Sequence, residues 1–598
     1  PTHLPSLRGM GFLARNLSAR QINIWLAMVL ILLIGVCDIE VNAQNSEQFS
    51  FEIDSGEPPN WLRGEIGKSI PIQDYEAALE ELKLECYSRG YITFMAEFEA
   101  ADSAQCIVHL GNQYRWSKLQ AARESKNLIQ STLGKSLRDG GPVSPDELFG
   151  LSQKLLTKVE NTGYPFAQVF LDSVVFLDES VSARLNIDLG PLIRLDSIRL
   201  HGNLAIRKNY ISNFLNLKES QAYHEHRIVQ SRKRLDELSF ATQVQPAQVT
   251  FVENSAYLDL YLNKRRSNRF DGIIGFLPDQ DGKILVTGDV KLHLENTLKQ
   301  GELLDISWRK LQTNTQDFQA EAIAPFVLNS PISIDGKLQI YRRDTLFSNV
   351  DRQLGLRYMI GGSDYLRLFF SRSTSSLLST SPYESGQILP PFLDKKLSSY
   401  GLGIKMRRLD YIQNPSKGFE FEGESSIGTK EISRNSRLPE VLYDSLDLKT
   451  LQWMSTALIA YYVSPVSRVV WHQRILGAHI MNEQIFNNEA NRIGGFKSMR
   501  GFDEESIFST SYSILRNELR YQLDKDGYVY GFFDGAWFEN ASINRIGARR
   551  DLAYSFGVGT SFGTTAGIFN LSYALGSQQG NPILIRTAKI HFGYTSVF

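Results

Sequence analysis

The sequence predicts a chain of two parts: a series of small α+β modules, followed by an all-β transmembrane barrel of sixteen antiparallel strands. Helical and strand patterns alternate up to about residue 267. From residue 268 onward helical periodicity nearly vanishes, and long strands of alternating apolar and polar residues follow one another. No apolar stretch after residue 44 is long enough to cross a bilayer as a helix, which takes about 20 residues. Such a chain can cross a membrane only as a closed barrel.

The segment 10–43 has the pattern of a secretory signal peptide. Two arginines precede an apolar run from Ile24 to Val36, which is too short for a spanning helix. Val41-Asn42-Ala43 then offers small residues at the spacing of a cleavage site, so the mature chain is expected to start near Gln44. A single-pass anchor is the alternative, and lipidation at Cys37 is a weaker one because a valine precedes that cysteine.

The residues that follow repeat one pattern, which predicts a modular array. Each unit consists of a strand, two helices and two strands, and the second unit includes a helix from Pro145 to Val159. The predicted modules are residues 44–118, 119–194 and 195–267. Cys86 and Cys106 both lie in the first module. An exported domain can bridge two cysteines, but two buried free thiols are equally compatible with the sequence.

The last part, residues 268–598, predicts the barrel. Sixteen strands are expected to begin near residues 269, 283, 301, 316, 331, 350, 364, 397, 418, 445, 467, 510, 526, 550, 565 and 583. Their connections alternate between short and long, as in outer-membrane barrels with short periplasmic turns and long external loops. Residues 511–523 show the alternation of faces. One face is apolar and is expected to face lipid: Leu515, Leu519, Tyr521 and Leu523. The other is polar and is expected to face the lumen: Arg516, Glu518, Arg520 and Gln522.

Four segments of the modular part resemble POTRA domains. These are GYPFAQV at 163–169, LGNQYRW at 110–116, LGPLIRL at 189–195 and SRKRLDELSFATQV at 231–244. The resemblance implies periplasmic modules that receive polypeptides.

The barrel resembles the BamA/TamA superfamily, which includes two-partner-secretion transporters. The resemblance rests on RIGGFKSMRGFDEE at 492–505, with its core Arg500-Gly501-Phe502, and on later segments in family order. These are NELRYQL (517–523), FFDGAWF (532–538) and GVGTSFGTTAGIFNLSYALG (557–576). The family shows Asp-x-Gly where this chain has Asp534 followed directly by Gly535. A last strand whose apolar face ends on Phe598 also resembles the recognition signal of outer-membrane barrels. That face is expected to hold Leu584, Ile590, Phe592, Tyr594 and Phe598.

The charge of Arg500 supports a hypothesis about this loop that does not depend on the resemblance. A loop that carries an obligate cation can fold into the lumen if a carboxylate receives it. Asp534 and Glu518 both have the parity of lumen-facing residues on adjacent predicted strands, so we expect them to be its partners. The alternative is that Arg500 is a solvated loop residue.

Catalysis finds little support in the sequence. The nine histidines show no metal-ligand cluster, and neither a G-x-S-x-G elbow nor a complete phosphate-binding loop is present. We expect no enzyme activity, no metal and no cofactor. The formal net charge of −1 shows no basic excess, so no nucleic-acid partner is expected.

The resemblance implies an assembly, insertion or translocation factor in the outer membrane of a Gram-negative bacterium. Its partners would be unfolded outer-membrane or secreted proteins, the lipid bilayer and accessory periplasmic or lipoprotein subunits. In the family the first and last barrel strands meet at a weak lateral seam, which here would join residues 268–277 to 583–598 and include Ile273, Gly275, Phe592 and Phe598. A pore that exports one dedicated partner is the alternative, although that subgroup usually has two POTRA domains and a plug helix. A passive porin would have no use for the modules.

Overall fold

A computed structural model describes residues 48–54, 56–98, 105–134, 139–278, 284–312, 315–385, 388–411, 414–524, 527–564 and 567–597. The expected signal peptide and Phe598 lie outside these residues. The described chain divides into two compact units. The smaller one comprises described residues up to 155 together with 169–187, and the larger one comprises 156–168 and the chain from 188 onward.

The first module is a four-stranded sheet beside one helix. Its strands are β1 (Gln48–Ile53), β2 (Ile70–Pro71), β3 (Met95–Phe98) and β4 (Gln105–His109), in the order β2-β1-β4-β3, and its helix is α1 (Tyr75–Ser88). Only one α-helix lies among its described residues, where the repeat predicted two. Residues 59–66 form hydrogen-bonded turns instead, because Gly64 and Gly67 lower the helix propensity of this short segment.

Both cysteines of this module are buried. Cys86 on α1 and Cys106 on β4 lie in the same core as Phe49, Phe51 and Leu62. They are free thiols, which decides between the two alternatives that the sequence left open.

The second module has a three-stranded sheet. Its strands are β5 (Arg115–Ala121), β6 (Gln168–Leu177) and β7 (Ser180–Asp188), in the order β5-β7-β6, and its helices are α2 (Lys126–Leu133) and α3 (Pro145–Glu160). The boundary expected between residues 118 and 119 cuts through β5 and is corrected by the structure. β5 pairs in parallel with β7 from Arg115 onward, so the second module begins before Arg115.

The third module repeats this plan inside the larger unit. It has β8 (Arg194–His201), α4 (Lys208–Leu215), α5 (Glu225–Leu235), β9 (Ala241–Val252) and β10 (Ser255–Lys264), with the sheet order β8-β10-β9. Its core extends onto the barrel, because Phe326 from the turn before β15 packs on Tyr210 of α4, with ring centroids 5.2 Å apart. We call the barrel end that meets this module proximal and the other end distal.

Sixteen strands in the described part of the chain close into the predicted antiparallel barrel. They are β11 (Arg269–Pro278), β12 (Ile284–Glu295), β13 (Leu303–Gln312), β14 (Thr315–Ala324), β15 (Ile332–Arg343), β16 (Phe347–Gly361), β17 (Asp364–Leu377), β18 (Lys395–Leu409), β19 (Gly418–Ile432), β20 (Lys449–Val466), β21 (Val469–Met481), β24 (Ser511–Gln522), β25 (Tyr528–Glu539), β26 (Arg550–Gly563), β27 (Ile568–Ser577) and β28 (Lys589–Val597). The two short strands β22 (Asn491–Ile493) and β23 (Ile507–Ser509) form a separate hairpin in the connection before β24.

The predicted faces of the barrel wall agree with the structure. On β24, Leu515 and Leu519 point outward and are 39% and 59% exposed, whereas Arg516, Glu518 and Arg520 are buried on the inside. The last strand differs from expectation at its start. β28 begins at Lys589, because residues 585–587 form a 3-10 turn that keeps Leu584 out of the strand. Within the described residues, no helix is long and apolar enough to cross a membrane.

Candidate functional site

The connection between β21 and β24 folds back against the inner wall of the barrel. Its hairpin β22–β23 carries a tip, residues 494–506, that we call the inner loop. Gly501 lets this loop touch the wall. Its φ is +83°, and a Cβ there would lie 3.0 Å from the backbone nitrogen of Gly576 and from Cβ of Ser555. Only glycine therefore fits this position.

Arg500 is 1% exposed and fastens the inner loop to two strands. Its Nε and Nη2 donate to Oδ2 and Oδ1 of Asp534 at 2.8 and 2.6 Å, and Nη1 donates to Oε1 of Glu518 at 2.6 Å. Its backbone nitrogen also donates to Asp534, at 3.3 Å. The guanidinium carbon lies 3.7 Å from the ring centre of Phe532. Planar bidentate pairing of this kind fixes orientation as well as charge.

Strand register explains why these carboxylates meet one arginine. β24 and β25 pair antiparallel, with Arg516 opposite Asp534 and Glu518 opposite Phe532. Glu518 and Asp534 are therefore diagonal neighbours on the same face of the sheet, close enough for one long side chain to reach both. The structure thus places Arg500 of the family-like segment together with Asp534 and Glu518, the two carboxylates that strand parity singled out.

Three further side chains complete the cluster and were missed as site residues. Arg520 donates to Oε2 of Glu518 at 2.8 and 2.7 Å, and Nδ1 of His472 lies 3.1 Å from the same oxygen. Arg516 donates to the backbone oxygen of Lys497 in the inner loop at 3.0 Å. The lumen-facing parity of Arg516 and Arg520 was visible in the sequence. His472 lies on β21, and its meeting with Glu518 depends on a register that the sequence does not reveal.

The cluster carries an excess of positive charge. Three guanidinium groups, those of Arg500, Arg516 and Arg520, face the two carboxylates of Glu518 and Asp534. Buried charges are tolerated when they are paired and hydrogen-bonded, so the cluster holds the inner loop only while each carboxylate keeps its cations.

Phe502 gives the inner loop an apolar contact with the same wall. It is 7% exposed and lies in a core with Ile493, Met499, Ile514 and Phe538. Three consecutive residues thus hold the inner loop on the wall: Arg500 by ion pairs, Gly501 by close backbone approach and Phe502 by apolar packing.

The first and last barrel strands meet through very few backbone pairs. β11 and β28 pair only at Arg269 with Val597 and at Phe270 with Ser596 within the described residues. β11 pairs with β12 along its ten residues, and β27 pairs with β28 along seven. The β11–β28 seam is therefore the weakest junction of the described wall.

The predicted seam residues lie beyond that short contact. Ile273 and Gly275 on β11 pair with Asp289 and Thr287 of β12. Phe592 on β28 pairs with Leu571 of β27, and its ring points outward at 62% exposure. Among the described residues, β11 forms no backbone pair with β28 beyond Phe270.

No group of three or more His, Cys, Asp or Glu side chains in the described ranges is arranged to hold a metal ion.

Two family models match parts of this chain. The haemolysin secretion/activation protein family ShlB/FhaC/HecB matches residues 398–562, which include Arg500, Glu518 and Asp534. The POTRA family, described as a surface antigen variable number repeat, matches residues 193–265, which hold the third module.

Similar proteins have been found among curated sequences and solved structures. The outer membrane protein assembly factor BamA of Neisseria meningitidis is 21% identical over 212 residues, which are 35% of this chain and 26% of that protein. The chain thus matches about a quarter of this relative's length. CdiB from Acinetobacter baumannii is 15% identical, with a TM-score of 0.52 over 88% of this chain and 98% of that one. CdiB from Escherichia coli gives 14%, with a TM-score of 0.52 over 88% and 97%. At such identities these structures establish the fold alone.

Proposed function

We propose that this chain assembles client polypeptides into the outer membrane. The chain belongs to the BamA/TamA superfamily of outer-membrane β-barrel proteins with POTRA domains. The barrel lies in the outer membrane, with the modules in the periplasm. Members of the family are transporters and assembly factors rather than enzymes. The outer-membrane location and the role in transport or assembly both agree with the expectation from the sequence.

The observation that carries the proposal is the β11–β28 seam. Two residue pairs hold it in the described part of the chain, whereas β18 and β19 share fifteen. Opening the seam therefore breaks few backbone hydrogen bonds and exposes the edges of β11 and β28 to the bilayer. An exposed strand edge is a template for another strand. A client strand can pair there and enter the membrane from the side.

The modules offer edges where clients can first be received. In the second module β6 is an edge strand, and Phe170, Val175 and Phe176 on it are 45%, 48% and 56% exposed. In the third module β9 is an edge strand. Exposed apolar edge strands pair with extended segments, so these two edges support a role in receiving unfolded polypeptide.

The second candidate is a pore that exports one dedicated partner. The match of residues 398–562 to a haemolysin secretion/activation family favours it. Export along the lumen would have to pass the inner loop, which Arg500 fastens to the wall. The described chain also has three modules, whereas the resemblance drawn from the sequence implies two for that subgroup. We therefore place assembly first.

A reversible disulfide across the seam tests the proposal. Phe270 lies opposite Ser596 in the paired part of the seam, so Phe270→Cys with Ser596→Cys should bridge the strands within the usual disulfide reach. Depletion of the natural protein, with this variant supplied instead, is followed by quantitation of the outer-membrane and secreted proteomes. The oxidised variant should fail to insert clients, and a reductant should restore insertion.

A matched control uses the fully paired wall. Ser425 and Ser455 face each other across β19 and β20, with their Oγ atoms 3.1 Å apart, so Ser425→Cys with Ser455→Cys adds a disulfide where no opening is proposed. This variant should stay active when oxidised. Full activity of the locked seam would exclude lateral insertion. Loss of one secreted protein alone, with an unchanged outer membrane, would favour the export pore.

A further inference from the structure

The distal part of the seam lacks backbone pairing. Beyond Phe270, residues 271–278 of β11 pair with β12 but with no residue of β28 in the described chain. Two adjacent strand edges that share no backbone pairs with each other leave that part of the wall weakly joined unless side chains link them. The side chains that face this gap from the lumen therefore matter.

The inner loop ends in three consecutive carboxylates, Asp503, Glu504 and Glu505. On one side Asp503 accepts a bond from Nζ of Lys589 at 2.7 Å. Lys589 is the first residue of β28, so this contact joins the inner loop to one edge of the seam.

The other two carboxylates reach the opposite side. Nη1 of Arg309 on β13 lies 3.5 Å from Glu504 and 3.7 Å from Glu505. Nε of Arg309 donates to Asp289 on β12 at 3.2 Å, and Asp289 pairs with Ile273 of β11. The inner loop is thereby tied to the sheet on the β11 side of the seam.

The loop also touches β28 at a second point. The backbone nitrogen of Gly501 lies 3.4 Å from Nε2 of His591, and the ring of Phe496 lies 5.9 Å from the imidazole. Arg492 holds Glu505 at 3.3 Å from within the hairpin, which keeps that carboxylate in place for Arg309.

We propose that the Asp503–Glu505 triplet is an ionic brace that bridges the seam from inside and holds its distal half closed. The inference rests on the proposed lateral opening and adds its regulation: Lys589 and Arg309 are positioning residues that receive the brace on the two sides. The Asp503 and Lys589 side chains are 74% and 37% exposed. Exposed ion pairs of this kind stabilise little and are screened by salt. The Asp503–Lys589 contact therefore biases the resting seam only modestly toward the closed state and yields without large cost when a client strand enters.

The test measures the seam itself, without a client. In a cysteine-free background, spin labels are placed on outward positions of β12 and β27, at Val290 and Leu571, in the full-length protein in proteoliposomes. Electron–electron double resonance then gives the distance distribution. Opening by one strand appears as a second population about 5 Å longer, the spacing of neighbouring strands.

Charge reversal should shift this distribution. Lys589→Glu should raise the ratio of open to closed seam by about two- to fivefold, the factor that corresponds to one exposed ion pair. Arg309→Glu should raise it further, because the Arg309 side chain is only 20% exposed and pairs with Asp289, Glu504 and Glu505. The swap of Asp503→Lys with Lys589→Asp should restore the closed population, which a misfolded barrel would not do. Lys449→Glu is the matched control, since Lys449 pairs with Glu431 at 3.2 Å on β19–β20, far along the wall from the seam. It should leave the distances unchanged.

The outcome separates the brace from the proposed function. An unchanged distance distribution in both reversal variants would overturn the brace, whatever the effect on client insertion. A wider seam in the reversal variants would support the brace, whereas full activity of the oxidised seam disulfide would exclude the seam as the route of insertion, so the two failures are distinguishable.

Discussion

Removing the side chain of Arg500 should release the inner loop while the barrel stays folded. Asp534 would lose both side-chain bonds that it receives from Arg500, at 2.8 and 2.6 Å. Glu518 would keep Arg520 and His472 as partners. The cost of Arg500→Ala therefore falls mainly on Asp534, which is fully buried.

The size of the effect follows from these contacts. Breaking a buried ion pair by removing one partner costs about 3–5 kcal/mol. Arg516 moderates this cost, because its Nε lies 3.8 Å from Asp534 and makes no hydrogen bond among the described residues. We therefore expect about 3 kcal/mol, the low end of the range. Arg500→Lys keeps the charge but loses the planar fork, so it should lose one charge-assisted bond, worth about 1.5–3 kcal/mol.

Limited trypsin digestion of the folded protein in micelles measures the release. Lys497 lies in the inner loop, and cleavage there tracks the population of the released loop when closing is faster than cutting. A loss of about 3 kcal/mol corresponds to a rate of cleavage about a hundredfold higher in Arg500→Ala, and the lysine variant should lie between it and the natural protein. Heat-modifiable migration on gels shows in parallel that the barrel remains folded.

Three further variants complete this experiment. Asp534→Asn should speed cleavage similarly, and the double variant with Arg500→Ala should add little, because both changes break the same pair. Arg434→Ala removes an exposed loop arginine, whose pair with Glu440 is 3.4 Å long, and should change nothing. Cleavage in Arg500→Ala no faster than in Arg434→Ala would refute the role of Arg500 as the anchor of the inner loop.

The remaining predictions concern the wall, the third module and the first. Glu518→Gln should lower the temperature at which the heat-modifiable band of the barrel is lost, and more so than Asp534→Asn, because Glu518 also pairs with Arg520 at 2.7 Å on its own strand; an equal shift would contradict this. Burial raises the pKa of Asp259, but hydrogen bonds from His201 and Thr250 outweigh it, so the pKa lies below its ordinary value. The ionised Asp259 should therefore stabilise the third module above about pH 4, and this stabilisation should be lost as the pH falls further. Urea unfolding of the full-length protein at several pH values should show the loss. In Asp259→Asn this part of the pH dependence should be absent. Burial raises the pKa of Cys86 to about 12, so iodoacetamide at pH 8 should label it only after unfolding, and rapid labelling of the folded protein would contradict its place in the core.

The inner loop shows how far sequence parity reaches. Alternation along a strand has a period of two residues, so the lumen-facing side of β24 and β25 could be predicted without knowing any strand partner. This is why Asp534 and Glu518 were expected near Arg500. His472 could not be found in the same way, because its meeting with Glu518 depends on the pairing of β21 with β24.

The sequence by itself determined the fold class: periodicity and the lengths of the connections predicted α+β modules and sixteen strands, since both patterns are local properties of the chain. The tertiary structure alone decided where the modules divide, since β5 belongs with β7, a partner more than sixty residues away in sequence. It also decided that Cys86 and Cys106 are free and that the described residues of β11 and β28 share two pairs. Closure of the barrel brings together its first and last strands, which the whole sequence of the barrel domain separates. The contacts of Asp503 with Lys589 and of Glu504 with Arg309 exist only once the barrel has closed. Such contacts join residues that no local pattern connects, so only the folded barrel reveals them.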